Sequence, residues 1–91
     1  MNTPTIYTVR LTREAEQELR RLPQNVIRRI DAIFEQLRHN PRPRGTVKLT
    51  GEKESHWRIR VGTYRILYQI DDQHRRVDIY RIKHRRDVYR S

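Results

Sequence analysis

Ile6 to Leu11 is β-branched and alternating, so it predicts a strand with Tyr7, Val9 and Leu11 on one face. Thr12 then offers an N-cap, and Glu14 and Glu16 suit the positive end of a helix dipole. Ala15, Leu19 and Leu22 recur at i, i+4 and i+7, the stripe of a short amphipathic helix that Pro23 ends. The same proline is placed to open the next helix. There Val26, Ile27, Ile30, Ile33, Phe34 and Leu37 form the apolar face, and Arg28, Arg29, Asp31, Glu35, Gln36 and Arg38 the polar one. Asn40-Pro41 stops this helix, because the residue before proline leaves the helical region. The short connection between the helices predicts an αα-hairpin.

The second half changes period. Pro41 to Gly45 is a basic loop, Lys48-Leu49 marks the start of a short strand segment, and Thr50 to Glu54 is polar. Strands are then predicted from Trp57 to Val61, from Tyr64 to Ile70 and from about Arg76 to Ile82. The order is β-α-α-β-β-β, an α+β fold whose helical hairpin packs on one face of a mainly antiparallel four-stranded sheet. The chain of 91 residues reads as one domain.

Gly62-Thr63 is a two-residue connection with glycine where a type II′ turn needs it. That turn sets Val61 against Tyr64, Arg60 against Arg65, Ile59 against Ile66, Arg58 against Leu67 and Trp57 against Tyr68. Trp57, Ile59, Val61, Tyr64, Ile66 and Tyr68 then meet the helices, and Arg58, Arg60 and Arg65 share the other face. Like charges directly opposed destabilise a sheet, and an anion over the arginines relieves that cost. The competing reading is an ordinary solvated face, which antiparallel sheets commonly have.

Charge sharpens the picture. Lys and Arg number 21 against 11 acids, a formal net charge of +10, and 18 of the 21 are arginine. Residues 1–41 carry a net +2 and residues 42–91 a net +8. Arginine grips phosphate as a planar fork and stacks on bases, so the composition points to nucleic acid. Only 34% of residues are apolar, so the core is small and a binding partner is the natural source of extra stability. There is no cysteine, the four histidines lack metal-ligand spacing, and no run approaches the ~18 apolar residues of a membrane span. A soluble cytoplasmic protein without cofactor or metal is expected, with no membrane partner.

The chain ends on Lys83-His84-Arg85-Arg86-Asp87-Val88-Tyr89-Arg90, directly after the last predicted strand. It combines an imidazole, a phenol and several guanidiniums. Histidine titrates near neutrality and serves acid–base chemistry, while arginine stabilises charge on a phosphorane. The carboxylates of the basic half do not converge as a two-metal nuclease requires. Metal-free RNA cleavage, with the substrate's 2′-hydroxyl as nucleophile, is the more natural chemistry.

These segments together resemble the RelE/ParE superfamily of type II toxin–antitoxin toxins, most of all the RelE-like mRNA interferases. The resemblance covers nearly the whole chain. It lies in Leu11-Thr12-x-x-Ala15…Glu18-Leu19…Leu22-Pro23, in Asn40-Pro41-Arg42-Pro43 and in Lys48-Leu49-x-Gly51. It is tightest in Trp57-Arg58-Ile59-Arg60-Val61-Gly62-x-Tyr64-Arg65-Ile66-x-Tyr68-x-Ile70 and in Ile82-Lys83-His84-Arg85-x-Asp87-Val88-Tyr89.

The resemblance implies cleavage of mRNA, often in the ribosomal A site, and a cognate antitoxin through which alone operator DNA is bound. It implies catalytic roles for the basic pair Arg58 and Arg60, for Arg65 and for Tyr89, with a further basic residue among Lys83, His84 and Arg85. The best-studied pattern has lysines at the first two positions. Arginine is almost never deprotonated, so Arg58, Arg60 and Arg65 are assigned to the phosphate, with Arg85 adding charge. His84 and Tyr89 are the acid–base candidates. Arg42, Arg44, Lys48, Lys83 and Arg86 are the expected RNA-backbone contacts. A ParE-like gyrase inhibitor shares the fold and is the alternative. An inactive module that represses transcription with its antitoxin is a third reading.

Overall fold

Thr12 starts the first helix as its side chain predicts: its hydroxyl accepts from the Ala15 N–H at 3.2 Å. In this computed structural model, which describes residues 6–49 and 56–88, strand β1 (Thr8–Leu11) leads into α1 (Arg13–Arg20) and α2 (Gln24–His39). The sheet continues with β2 (Val47–Lys48), β3 (His56–Val61), β4 (Tyr64–Asp71) and β5 (Arg76–His84), and a short α3 (Arg85–Val88) follows. Pro23 caps α2 from an extended conformation, and its carbonyl accepts from the Val26 and Ile27 N–H groups. Asn40 leaves the helix at φ −151° and ψ 103°, as a residue before proline must.

The strand order is β1-β5-β4-β3-β2, with β1 parallel to β5 and the other pairs antiparallel. The sheet therefore has five strands rather than four. The fifth, β2, has two residues, too few to show a period, and exists because Val47 and Lys48 pair with Arg58 and Trp57. Strand β5 also runs two residues past Ile82, because β4 offers ladder partners as far as Tyr64. Lys83 and His84 thus stand in the sheet rather than in a tail. The polar segment Thr50 to Glu54 lies outside the described residues.

One face of the sheet carries the core. Ile59, Val61, Ile66, Tyr68, Ile70, Val77, Ile79 and Ile82 are buried there with Ala15 of α1 and Ile30 and Leu37 of α2. Val77 and Ile79 alternate correctly, but Ile82 is out of phase with them. A β-bulge on β5, opposite Leu67 and Tyr68 of β4, restores the phase: Leu67 pairs with Arg81 and Tyr68 with Ile79, leaving Tyr80 as the extra residue. Among the described residues no helix is long and apolar enough to cross a membrane.

The basic loop is tied down at its start. The buried Tyr68 hydroxyl donates to the Pro41 carbonyl at 2.9 Å, and burial raises its pKa. Arg42 forks onto Asp72, at 3.2 and 2.7 Å, and lies 5.0 Å from the Trp57 ring centroid. The Tyr7 hydroxyl donates to the same carboxylate at 2.6 Å. The Arg42 hydrogen bond, then that of Tyr7, holds the Asp72 carboxyl below its ordinary 3.8.

This network predicts an acid limb in stability. Asp72 stabilises the fold at full strength above its unfolded value, and the contribution is lost as pH falls through the lower folded value. Exposed ion pairs contribute ~0.2–1 kcal/mol, so Asp72→Asn is expected to lower the melting temperature by roughly 2–6 °C at pH 7. The gap between the two proteins should close below pH ~3.8. Thermal melts across pH 2–7 check this, and a gap that stays open in acid refutes it.

Candidate nucleic-acid interface

Gly62 sits at φ +59° and Thr63 is outside the left-handed region, the signature of a type II′ turn. The register is the one the two-residue loop dictates: Val61 with Tyr64, Arg60 with Arg65, Ile59 with Ile66, Arg58 with Leu67 and Trp57 with Tyr68. Strand β5 then sets Lys83 against Arg65. Arg60, Arg65 and Lys83 therefore stand in one line across three strands, on the face turned away from the helices. Arg65, on the central strand, is only 6% exposed. Arg58 stands one row further along the same face.

A cleft of about 290 Å³ opens at this end of the sheet, lined by Arg60, Gly62, Thr63, Tyr64, Arg65 and Arg85. Arg85 belongs to it because its N–H donates to the Thr63 carbonyl at 2.6 Å, fastening the start of α3 to the hairpin turn. The turn is also approached from α2. A Cβ on Gly62 would lie 3.1 and 3.2 Å from the two terminal nitrogens of Arg29. Gly62 thus serves both the turn and the close approach of Arg29.

The acids lie elsewhere. Asp71 pairs with His74 and Arg76, Asp72 with Arg42, and Asp78 with Arg10 and Arg76, around the opposite end of the sheet. Glu14 and Glu18 of α1 engage Arg81 at the β5 edge. Among the described residues Arg60, Lys83 and Arg85 form no ion pair. The hairpin end therefore presents positive charge to solvent, the field that gathers phosphates. Among the described residues no three His, Cys, Asp or Glu side chains converge.

The other sequence candidates are distributed as follows. Arg44 approaches Arg58 and Arg60 along a second cleft, of about 530 Å³, beside the β3 edge. Arg42 is turned to Asp72 and Trp57, and Lys48 pairs with Trp57 in the register that belongs to the helix side. His84 stands opposite Tyr64, also on the helix side, with the rings edge to face at 5.1 Å. Its Nδ1 accepts from the Arg86 N–H at 3.1 Å, so its neutral form carries the proton on Nε2. The Arg86 side chain is exposed. Tyr89 lies outside the described residues.

Sequence reasoning left Arg29 on a solvated helix face, and nothing local to α2 points to Gly62. The line-up of Lys83 with Arg65 did leave a signal, the broken phase between Ile79 and Ile82.

Known proteins share this fold. The family described as the ParE toxin of the type II toxin–antitoxin system parDE matches residues 9–89. The toxin RelG of Mycobacterium tuberculosis is 40% identical over 85 residues, which are 92% of this chain and 97% of that protein. The toxin RelE of the same organism is 36% identical over 85 residues, covering 92% and 87%. A chain in the crystal structure of the M. tuberculosis toxin–antitoxin complex RelBE2 superposes with a TM-score of 0.79 at 36% identity, over 93% of this chain and 98% of that one. With a family match across most of its length and relatives this similar over nearly all of theirs, the chain belongs to the RelE/ParE superfamily of type II toxin–antitoxin toxins.

Proposed function

We propose that the protein is a metal-independent endoribonuclease that cleaves mRNA in the ribosomal A site. The observation that supports this most is the set of guanidiniums from Arg60, Arg65 and Arg85 around one cleft, with the Lys83 ammonium in line beside them. Guanidiniums bind a phosphodiester as bidentate forks and stabilise the extra charge of a phosphorane. The 2′-oxygen forms a bond to phosphorus and the bond to the 5′-oxygen breaks. The 2′-hydroxyl proton passes to a base, and the leaving oxygen takes up a proton. The products are a 2′,3′-cyclic phosphate, or the 3′-phosphate from its hydrolysis, and a 5′-hydroxyl. Arg58 and Arg44 hold neighbouring phosphates, and Tyr89 is the acid–base candidate, since His84 stands on the helix side behind Tyr64.

The relatives' solved complexes support a cognate antitoxin as partner. A net charge of +10 on a cytoplasmic toxin favours an acidic antitoxin segment that covers the basic end. Operator DNA is then reached only through that antitoxin.

The test is induction of the wild-type protein with genome-wide mapping of mRNA 5′ ends, and cleavage of ribosome-bound mRNA in EDTA. New 5′-hydroxyl ends, formed equally well in EDTA, are expected. Growth arrest with gyrase–DNA cleavage complexes and no new mRNA ends overturns the nuclease reading in favour of a ParE-like poison. Loss of cleavage in EDTA overturns the metal-free mechanism.

A further inference from the structure

The bulge that brings Ile82 into the core has a second product. Tyr80 and Arg81 both oppose Leu67, so the Tyr80 side chain is delivered to the open face of the sheet. From there its hydroxyl reaches across β4 to within 3.0 Å of His56 Nδ1 on β3. Gln69, directly opposite His56 in the register, places Nε2 2.8 Å from His56 Nε2. With the amide donating, Nε2 of the imidazole accepts and the Nδ1–H donates to the phenol oxygen. The imidazole and phenol are held at 62°, with centroids 5.3 Å apart. All three side chains are half-buried, on the side of the sheet away from the helices.

This is an aromatic island on a charged face. Asp78, ion-paired to Arg10 and Arg76, stands beside it directly opposite Gln69, Asp71 lies one row beyond, and before it runs the cationic line of Arg60, Arg65 and Lys83. His56 is two residues from Arg58 and four from Arg60 on one strand, about 7 and 14 Å along it. One or two nucleotides of an extended strand cover that reach. A nucleobase needs a flat apolar surface for its faces and hydrogen-bonding groups for its edge. The imidazole face, with the Tyr80 ring set at an angle beside it and the half-exposed Leu67, supplies the first. Gln69 supplies the second, since its Oε1 has no partner among the described residues.

We propose that His56, Tyr80 and Gln69 form a nucleobase-binding platform that seats a base of the RNA strand whose phosphate lies at Arg60, Arg65 and Lys83. The platform rests on the nuclease reading and deepens it by assigning where sequence preference arises. The His56 ring stacks on the base with the Tyr80 ring bracing it at an angle, and Gln69 Oε1 accepts from a donor on its edge.

The experiment uses Tyr80→Phe, His56→Ala and Gln69→Leu in the full chain, with melting curves, mRNA 5′-end mapping and the concentration dependence of cleavage. His56→Ala is expected to raise KM about tenfold with kcat little changed, the loss of one stacked base. Gln69→Leu is expected to flatten the preference among cleavage sites about fivefold or more, the loss of one hydrogen bond to a base. Tyr80→Phe, which removes one oxygen atom and keeps the ring, is expected to alter the same preference in a folded protein. Folded variants that cleave the wild-type sites with wild-type KM overturn the platform alone and leave the patch to a protein partner. A wild-type protein that makes no new RNA ends overturns the nuclease reading beneath it.

Discussion

Arg65→Ala is expected to lower the rate of the proposed mRNA cleavage roughly 100- to 1000-fold, the loss that follows when one preorganised donor to a developing charge is removed. The side chain stands on the central strand, flanked by Arg60 on β3 and Lys83 on β5, and is nearly buried. A guanidinium held this way needs little reorganisation when the phosphate gains charge. Arg65→Lys keeps the charge but loses the planar fork, so it should recover only part of the rate.

Arg60→Ala separates function from folding. Arg60 is exposed and directly opposes Arg65, so its removal takes away a like-charge pair along with the proposed phosphate contact. Cleavage should fall while the melting temperature does not. Single-turnover cleavage of ribosome-bound mRNA, with melting curves on the same preparations, reads both effects. An Arg65→Ala protein that cleaves within threefold of wild type places the scissile phosphate somewhere else.

The part of the site carried by the β3–β4 hairpin can be read from residues alone. A two-residue Gly-Thr loop admits one register, and alternation then decides which side chains leave the core. Arg58, Arg60 and Arg65 follow without tertiary information.

The contribution of β5 is harder, because its register depends on a bulge at Tyr80, seventeen residues from that turn. Without the bulge, alternation from Ile79 would send Ile82 to the open face and Lys83 toward the helices. The chain hints at the correction through the spacing of Val77, Ile79 and Ile82, but only a packed core shows which side of the sheet gives way. The same slip decides His84, which residue types alone group with the arginines and which the register places behind Tyr64. Arg42 is lost to local reasoning for another cause. Its carboxylate partner, Asp72, is thirty positions away in a turn that sequence patterning leaves polar and unassigned.

Ile66→Ala is the largest expected effect on stability. Ile66 is fully buried and forms a row with Ile59 and Ile82 under the helices. Removing three buried carbons from such a site costs about 2–5 kcal/mol, including the cavity left behind. A domain of this size has only about 5–14 kcal/mol in total. The melting temperature should therefore fall by roughly 10–30 °C. Ile66→Val should cost about 0.5–1.5 kcal/mol, scaling with the single carbon removed. Urea unfolding measures both, and a lower midpoint with an unchanged slope assigns the loss to the native core. A cost below about 1 kcal/mol for Ile66→Ala is too small for a closed core and would contradict the packing described. Ile66 is also the chain neighbour of Arg65, with its side chain on the opposite face. At a temperature where the variant remains folded, the β3–β4 and β4–β5 ladders still hold Arg65 between Arg60 and Lys83. Cleavage should then stay within a few-fold of wild type, so that one strand loses its apolar anchor while its guanidinium keeps working.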